Sequence, residues 1–426
     1  MTPEPSEDHG RGPSLPSAAD VEDAAERIAG RVTRTPLHPS PRLSEATGAR
    51  VWLKREDLQA VRSYKSRGAA NLIAQLDPEQ IWAGVVCASA GNHAQGVAHA
   101  CASLGVNARI YLPATTPRQK RDRVATIGGD WVEVVVVGQT YDEAAAAALA
   151  DAEGSGATLV PAFDHPHTIA GQGTIALEVM DDLPHPPDLV VVPCGGGGLL
   201  AGCLTWLRDR HPEVRVVGVE PAGAASMIAA TNAGGPVTLP EIDRFVDGAA
   251  VARAGAWTYP VVARHTPELV AVPEGAVCTE MIALYQSEGI IAEPAGALAA
   301  SALPRLGIER GQTVVVVVSG GNNDLLRYAE VMERSLIHEG LKHYFLVDFP
   351  QEPGMLRQFL AEVLGPDDDI ALFEYVKRNN RETGPALVGI ELSRREDLDP
   401  LLRRMDASSM DVEPIPPDSP LFRFIL

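Results

Sequence analysis

The chain has 426 residues, of which 45% are hydrophobic and 22% charged, the proportions of a soluble globular protein with two or three domains. Its formal net charge of −20 excludes the broad basic footprint of a nucleic-acid binder. Five cysteines, Cys87, Cys101, Cys194, Cys203 and Cys278, form no CxxC pair, which predicts a reduced, cytoplasmic setting. No apolar run approaches the length of a membrane span, so no membrane partner is expected.

Residues 1–19 are polar and proline-rich without an apolar h-region, and read as a flexible tail rather than a signal peptide. The stretch LKREDLQAVRSYKSRGAANLI (53–73) then concentrates charge ahead of a helix-like apolar pattern. It places Lys65 just inside a predicted helix start, with Ser63 as its cap. Burial lowers a lysine pKa and makes the neutral amine a nucleophile and a base. A solvated lysine is the plainer reading, so Lys65 needs support from elsewhere in the chain.

From residue 84 short Val/Ile runs alternate with Ala/Leu stretches. The runs are 84–89, 108–113, 131–137, 188–194, 214–220 and 313–319. Continuous apolar strands of this kind suit a parallel sheet covered on both faces, with crossover helices over 140–153 and 197–210. The prediction is an α/β, doubly wound core over 20–335. The texture then changes. Residues 342–366 read strand, Pro/Gly turn, helix; 368–393 read two strands joined by a polar turn; 395–408 read helix, and DVEPIP reads strand. The order β-α-β-β-α-β is that of a ferredoxin-like α+β unit over 340–426. It carries no constellation of catalytic side chains, which predicts a regulatory or association module.

Parallel sheets bind ligands beyond the C-terminal ends of their strands, and four loops of the core fall there. In PCGGGGLLAG (193–202), Gly195, Gly196, Gly197 and Gly198 let backbone N–H groups converge on an anion at a helix start. Phosphate is the natural guest, and a flexible turn the plain alternative. No Gly-Lys-Ser/Thr follows, which excludes a Walker loop. A dinucleotide site stays open: Gly196, Gly198 and Ala201 fit G-x-G-x-x-A, and Glu220 ends the next strand where a ribose-binding acid would sit. In the second loop, Ser89, Gly91, Asn92 and His93 stand at a strand-to-helix junction suited to a carboxylate or merely to capping. In the third, Ser319 ends a buried run before Gly320 and Gly321, and its hydroxyl could meet a ring nitrogen, a phosphate or only a helix end. The fourth is the Lys65 loop. FDHPH (163–167) carries two His and one Asp but too few ligands for a metal.

Taken together, SYKSRGA, SAGNHAQG, CGGGGLLAG, EPAGA (293–297) and VSGGN resemble the catalytic domain of the threonine dehydratase family, among the fold-type-II pyridoxal-phosphate enzymes. The C-terminal HYFLVDFPQEPG and LFEYVKRNNRETGPALVGIEL are similar to the single ACT-like regulatory domain of its biosynthetic members. The resemblance implies pyridoxal 5'-phosphate as cofactor, held covalently by Lys65. It implies Tyr64 and Gly248 beside the ring, Asn92 at the 3′-oxygen, Gly195 to Gly198 around the phosphate and Ser319 at the pyridine nitrogen. Ser89, Gly91, Asn92 and His93 would bind the substrate carboxylate. It further implies β-elimination of water from L-threonine, and from L-serine, giving 2-oxobutyrate and ammonia from threonine. This is the first step of isoleucine biosynthesis, and isoleucine would be a feedback inhibitor, valine a second effector. A homotetramer is implied as well. Ala90 stands where serine racemases carry a second Ser, and Ser226 where metal-binding relatives carry a second acid near Glu220, so neither racemisation nor a tightly bound divalent metal is expected.

Overall fold

The structure is a computed structural model that describes residues 14–375, 382–417 and 419–425. Its strands, in chain order, are β1 (Leu37–Pro39), β2 (Arg50–Arg55), β3 (Val85–Ala88), β4 (Ala108–Leu112), β5 (Val132–Val136), β6 (Thr158–Leu159), β7 (Leu189–Pro193), β8 (Arg215–Pro221), β9 (Glu268–Val272), β10 (Thr313–Val318), β11 (Lys342–Pro350), β12 (Asp369–Tyr375), β13 (Thr383–Glu391) and β14 (Asp411–Ile415). The chain divides into two compact units. One runs through Glu274 and resumes over Ala283–Asn323; the other combines Gly275–Ile282 with Asp324–Leu426.

The larger unit holds two sheets. Six strands follow the order β1-β2-β10-β7-β8-β9, and four follow β5-β4-β3-β6. All pairings are parallel except β1 with β2. Every residue of β7 is buried, as are Val314 to Val318 of β10. That is the burial expected of interior strands covered on both faces. The six predicted Val/Ile runs become β3, β4, β5, β7, β8 and β10. Three polar or very short strands, β1, β2 and β6, and the half-exposed β9 lack the continuous apolar signal, so the sequence pattern did not reveal them. The predicted helices at 140–153 and 197–210 form as Tyr141–Ser155 and Gly198–Arg210. The first opens on a capping box in which Thr140 and Glu143 exchange hydrogen bonds. An equivalent box at Ser17 and Asp20 starts the helix Ala18–Ile28 inside the segment read as a tail; residues 1–13 lie outside the described residues.

Each sheet has its own core. Val190, Val192, Val216, Val315 and Val317 pack with the helices Pro166–Asp182 and Gly198–Arg210. Val85, Cys87, Ile110 and Leu112 pack with Ala94, Val97 and Cys101 of the helix Asn92–Leu104. The C-terminal ends of both sheets carry the loops singled out in the sequence.

The smaller unit contains the antiparallel sheet β12-β13-β11-β14. With helices Met355–Glu362 and Leu398–Ala407 between its strands, this is the predicted ferredoxin-like order. Phe345, Val347, Phe349, Phe359, Val388, Ile390, Leu401 and Met405 form its core. The polar turn predicted between β12 and β13 spans residues 376–381, which lie outside the described residues. Helix Tyr328–Glu339 packs with the 275–282 segment of the same unit, where Thr279 Oγ1 and Ser335 Oγ share a hydrogen bond of 2.9 Å. Among the described residues no helix is long and apolar enough to cross a membrane.

Candidate active site

Lys65 is the first residue of the helix Lys65–Ile73. The Ser63 hydroxyl stands 3.4 Å from the Lys65 N–H, a weak contact. The loop is tied down by backbone instead: Tyr64 N donates to Ser319 O at 3.2 Å, and Ser63 bridges Gly320. The Lys65 and Ser319 loops are thereby one structure. Behind Lys65, Arg67 is fully buried and donates to Glu56 at 2.8 Å and to Glu178 at 2.7 Å. Lys54 Nζ donates to Glu178 at 2.6 Å. The charges that crowd the sequence ahead of Lys65 are therefore an interior ion network that anchors its helix.

The Lys65 side chain turns into a cavity lined by Tyr64, Phe163, Gly195 to Gly198, Gly248 and Val251. Its Nζ donates to Ala162 O at 3.3 Å and lies 5.3 Å from the Tyr64 ring centroid. Burial pushes the amine down to about 8, opposed by the charge of Glu293. The neutral form, which attacks a carbonyl, is thereby far more populated near neutral pH than in an ordinary lysine, although the protonated form still predominates at pH 7. Of the glycines opposite, Gly197 has φ +94°, a conformation that disfavours side chains. A Cβ at Gly196 would lie 2.3 Å from the Phe163 ring, and one at Gly195 2.8 Å from Ala249 O. Four bare backbone units at the start of the helix Gly198–Arg210 suit an anionic group, and a half-buried, partly neutral amine beside them suits a carbonyl. A phosphorylated aldehyde has both, so the residues fit pyridoxal phosphate.

Asn92 is held from both ends. Its Oδ1 accepts from Asn322 Nδ2 at 2.7 Å and its Nδ2 donates to Glu293 Oε1 at 2.6 Å, which leaves one N–H for a ligand. Sequence reasoning did not assign Glu293 a place here; it opens the EPAGA motif, and only the fold brings it to Asn92. Burial raises its carboxyl to about 7, with Asp247 adding to the effect. Gly96 of the same helix approaches closely, so that a Cβ there would lie 3.0 Å from the Lys65 carbonyl carbon. Gly91 N donates to Ser89 Oγ at 3.2 Å. The His93 ring is buried and its Nε2 donates to Val160 O at 2.7 Å. Burial, with Lys65 nearby, pushes His93 down to about 4. The ring is therefore neutral with its Nε2–H committed to Val160 O, and the donor His93 has left for an anionic ligand is its backbone N–H. Ser319, buried, donates its hydroxyl to Ala295 O at 3.0 Å.

Glu220 does not stand free for a ribose. It is fully buried and accepts from Met227 N at 2.7 Å and Ile228 N at 2.8 Å. In FDHPH, His165 Nδ1 accepts from His167 N at 3.1 Å. Among the described residues no group of three or more His, Cys, Asp or Glu could hold a metal ion.

An amine facing four adjacent glycines across one cavity, at the carboxyl ends of parallel strands, is the arrangement that suits an α/β enzyme with a phosphorylated carbonyl cofactor. Comparison with known proteins agrees. Residues 28–320 match the family of pyridoxal-phosphate dependent enzymes, and residues 333–425 match the C-terminal regulatory domain of threonine dehydratase. The chain is 63% identical over 412 residues to the biosynthetic L-threonine dehydratase IlvA of Mycobacterium tuberculosis, covering 96% of each chain. Among solved structures, the processed threonine deaminase isoform 2 of Solanum lycopersicum matches with a TM-score of 0.70 at 36% identity, over 76% of this chain and 96% of that one. Maize serine racemase matches with a TM-score of 0.70 at 30% identity, over 76% of this chain and 99% of that one. The chain thus belongs to the biosynthetic threonine dehydratase family of pyridoxal-phosphate-dependent enzymes, and pyridoxal phosphate is its cofactor.

Proposed function

We propose that this chain deaminates L-threonine, and L-serine as a second substrate, by β-elimination of water, with 2-oxobutyrate and ammonia as the products from threonine. The observation that carries the reading is the half-buried Lys65 with its amine at about 8, facing Gly195 to Gly198 across one cavity.

When bound, pyridoxal phosphate supplies an electron sink for a carbanion at Cα. The chain's own residues do the rest. Lys65 would hold the cofactor's aldehyde carbon and, once free as a neutral amine, would take the Cα proton of the substrate. The Cβ–OH bond then breaks, the hydroxyl leaves with a proton as water, and the released enamine hydrolyses to the keto acid and ammonia. Gly195 to Gly198 hold the phosphate. Asn92, oriented by Asn322 and Glu293, offers its remaining N–H to the 3′-oxygen. Ser89, Gly91, Asn92 and His93 receive the substrate carboxylate, His93 through its backbone. Ser319, whose hydroxyl would turn from Ala295 O, would face the pyridine nitrogen; a hydroxyl brings no charge, so it would leave that nitrogen neutral and favour elimination over reprotonation at Cα. Ala90 has no proton to deliver to the opposite face, which argues against racemisation.

The catalytic region is 20–335 and the ACT-like region 340–426. The latter takes an amino-acid effector, isoleucine as inhibitor with valine as a second ligand, and the assembly is a cytoplasmic homotetramer. Borohydride treatment of the purified protein followed by peptide mass analysis tests the core of this reading. The cofactor should be fixed on Lys65, and Lys65→Ala should release less than a thousandth of the wild-type 2-oxobutyrate. An unmodified Lys65 in a protein that still deaminates threonine overturns it.

A further inference from the structure

The sequence motif FDHPH has no place in the chemistry above, yet Phe163 packs on the glycine loop and Asp164 holds a segment that bonds to it. Ala162 O accepts from Lys65 Nζ at 3.3 Å. Phe163 presses on Gly196 and Gly198: a Cβ at Gly196 would lie 2.3 Å from its ring, and one at Gly198 2.8 Å from its Cβ and 3.0 Å from its Cα. The Asp164 carboxylate accepts from three successive backbone N–H groups, Ala256 at 2.8 Å, Trp257 at 2.7 Å and Thr258 at 3.3 Å. Those bonds pin the loop that begins the helix Thr258–His265. Thr258 is fully buried, and its hydroxyl donates to Gly196 O at 2.6 Å. Gly255 N donates to the same carbonyl at 3.3 Å.

The carbonyl of Gly196 matters because of what shares its peptide. In a trans peptide the C=O and the following N–H point in opposite directions, and none of the described peptide bonds is cis. A carbonyl swung into an anion site would repel its guest and withdraw the N–H that should greet it. Two donors at the back of the loop hold this carbonyl outward, so the Gly197 N–H is turned the other way, toward the cavity. At φ +94° Gly197 could otherwise flip that peptide with little steric resistance.

We propose that Asp164 and Thr258 are positioning residues for the phosphate cradle: Asp164 fixes the Thr258 loop, and the Thr258 hydroxyl holds the Gly196–Gly197 peptide with its N–H facing the anion. This rests on the reading that Gly195 to Gly198 grip the cofactor's phosphate.

The test compares pyridoxal phosphate with pyridoxal, which lacks the anion, on the full chain stripped of cofactor and reloaded. Binding is followed by the visible absorbance of the cofactor on Lys65. The wild type should bind the phosphorylated form at least a hundredfold more tightly. Thr258→Val should weaken pyridoxal phosphate about tenfold or more while changing pyridoxal less than twofold, since one well-placed hydrogen bond to an ionised group is worth about 1.5–3 kcal/mol. Thr258→Ser, which keeps the hydroxyl, should stay within twofold of wild type for both. Asp164→Asn should show the same selective loss, and it decides the matter if the valine variant does not fold. Equal weakening of both ligands in Thr258→Val and Asp164→Asn, or no weakening, overturns the proposal. A wild type that does not distinguish the two ligands overturns instead the assignment of the glycines to the phosphate.

Discussion

Lys65 and Glu293 are both shifted toward their neutral forms by burial, and the two shifts have different consequences. For the amine, the shift to about 8 enlarges the neutral, nucleophilic fraction. For Glu293, the shift to about 7 from an ordinary 4.5 is a cost to the fold that depends on pH. A carboxyl that holds its proton more tightly in the folded chain contributes most below the unfolded value. Its contribution is lost as pH rises through the folded one. Glu293→Gln keeps an oxygen for Asn92 Nδ2 and removes the charge. The variant should therefore melt at a higher temperature than wild type at pH 8, with the gap closing toward pH 4.5. A gap that is constant across this range would show that Glu293 does not titrate where its burial places it. Arg67 illustrates the opposite case. Burial would raise the Glu56 carboxyl, but the Arg67 guanidinium at 2.8 Å overrides it and holds the group below the usual carboxylate range. Arg67→Met leaves the buried Glu56 without its bidentate partner, while Glu178 keeps Lys54 at 2.6 Å, and should cost about 3–5 kcal/mol in urea unfolding at pH 7. The deficit should shrink in acid, where Glu56 becomes protonated and the pair no longer contributes.

The helix that carries Lys65 is positioned by close packing as well as by charge. It lies against the helix Pro166–Asp182 with almost no space between backbones. A Cβ at Gly171 would meet Arg67 O at 2.7 Å and Gly68 Cα at 2.8 Å. Backbone cannot yield as a side chain can, so Gly171→Ala should push the two helices apart and cost about 1–3 kcal/mol. Because the displaced element carries Lys65, the same variant should lose turnover more than it loses substrate affinity. Chemical denaturation together with steady-state kinetics on threonine would read both effects. A variant as stable and as active as wild type would mean that the helices can separate without moving the amine.

The division of the chain into two units bears on regulation. The helix Tyr328–Glu339 belongs with the ferredoxin-like unit, through Ser335 and Thr279, although it precedes the strands that define that fold. A chain ending after Gly340 keeps this helix and its hydrogen bond but removes every strand of the antiparallel sheet. It should deaminate threonine at a rate within a few-fold of the full chain and be indifferent to isoleucine, which should inhibit the full chain. Initial rates with and without isoleucine on both chains would check this. Equal inhibition of both would place the effector outside the ACT-like region.

Periodicity and local chemistry alone determined much of this protein. Buried parallel strands announce themselves as unbroken Val/Ile runs because both faces are covered, so β7, β8 and β10 were legible. The β-α-β-β-α-β unit was legible because its turns and amphipathic helices are local. Four adjacent glycines at a strand-to-helix junction pointed to an anion whatever the rest of the chain did. Local pattern does not carry partners distant in sequence, and these decided the remainder. The separation of the strands into two sheets, the burial of the charges around Lys54, Glu56 and Arg67, and the neutral, occupied ring of His93 all depend on such contacts. So do the pairing of Asn92 with Glu293, 201 residues away, and the reach of Thr258 to Gly196 across 62. A side chain's solvation and hydrogen-bond partners set its pKa and its orientation, and only the folded chain supplies them.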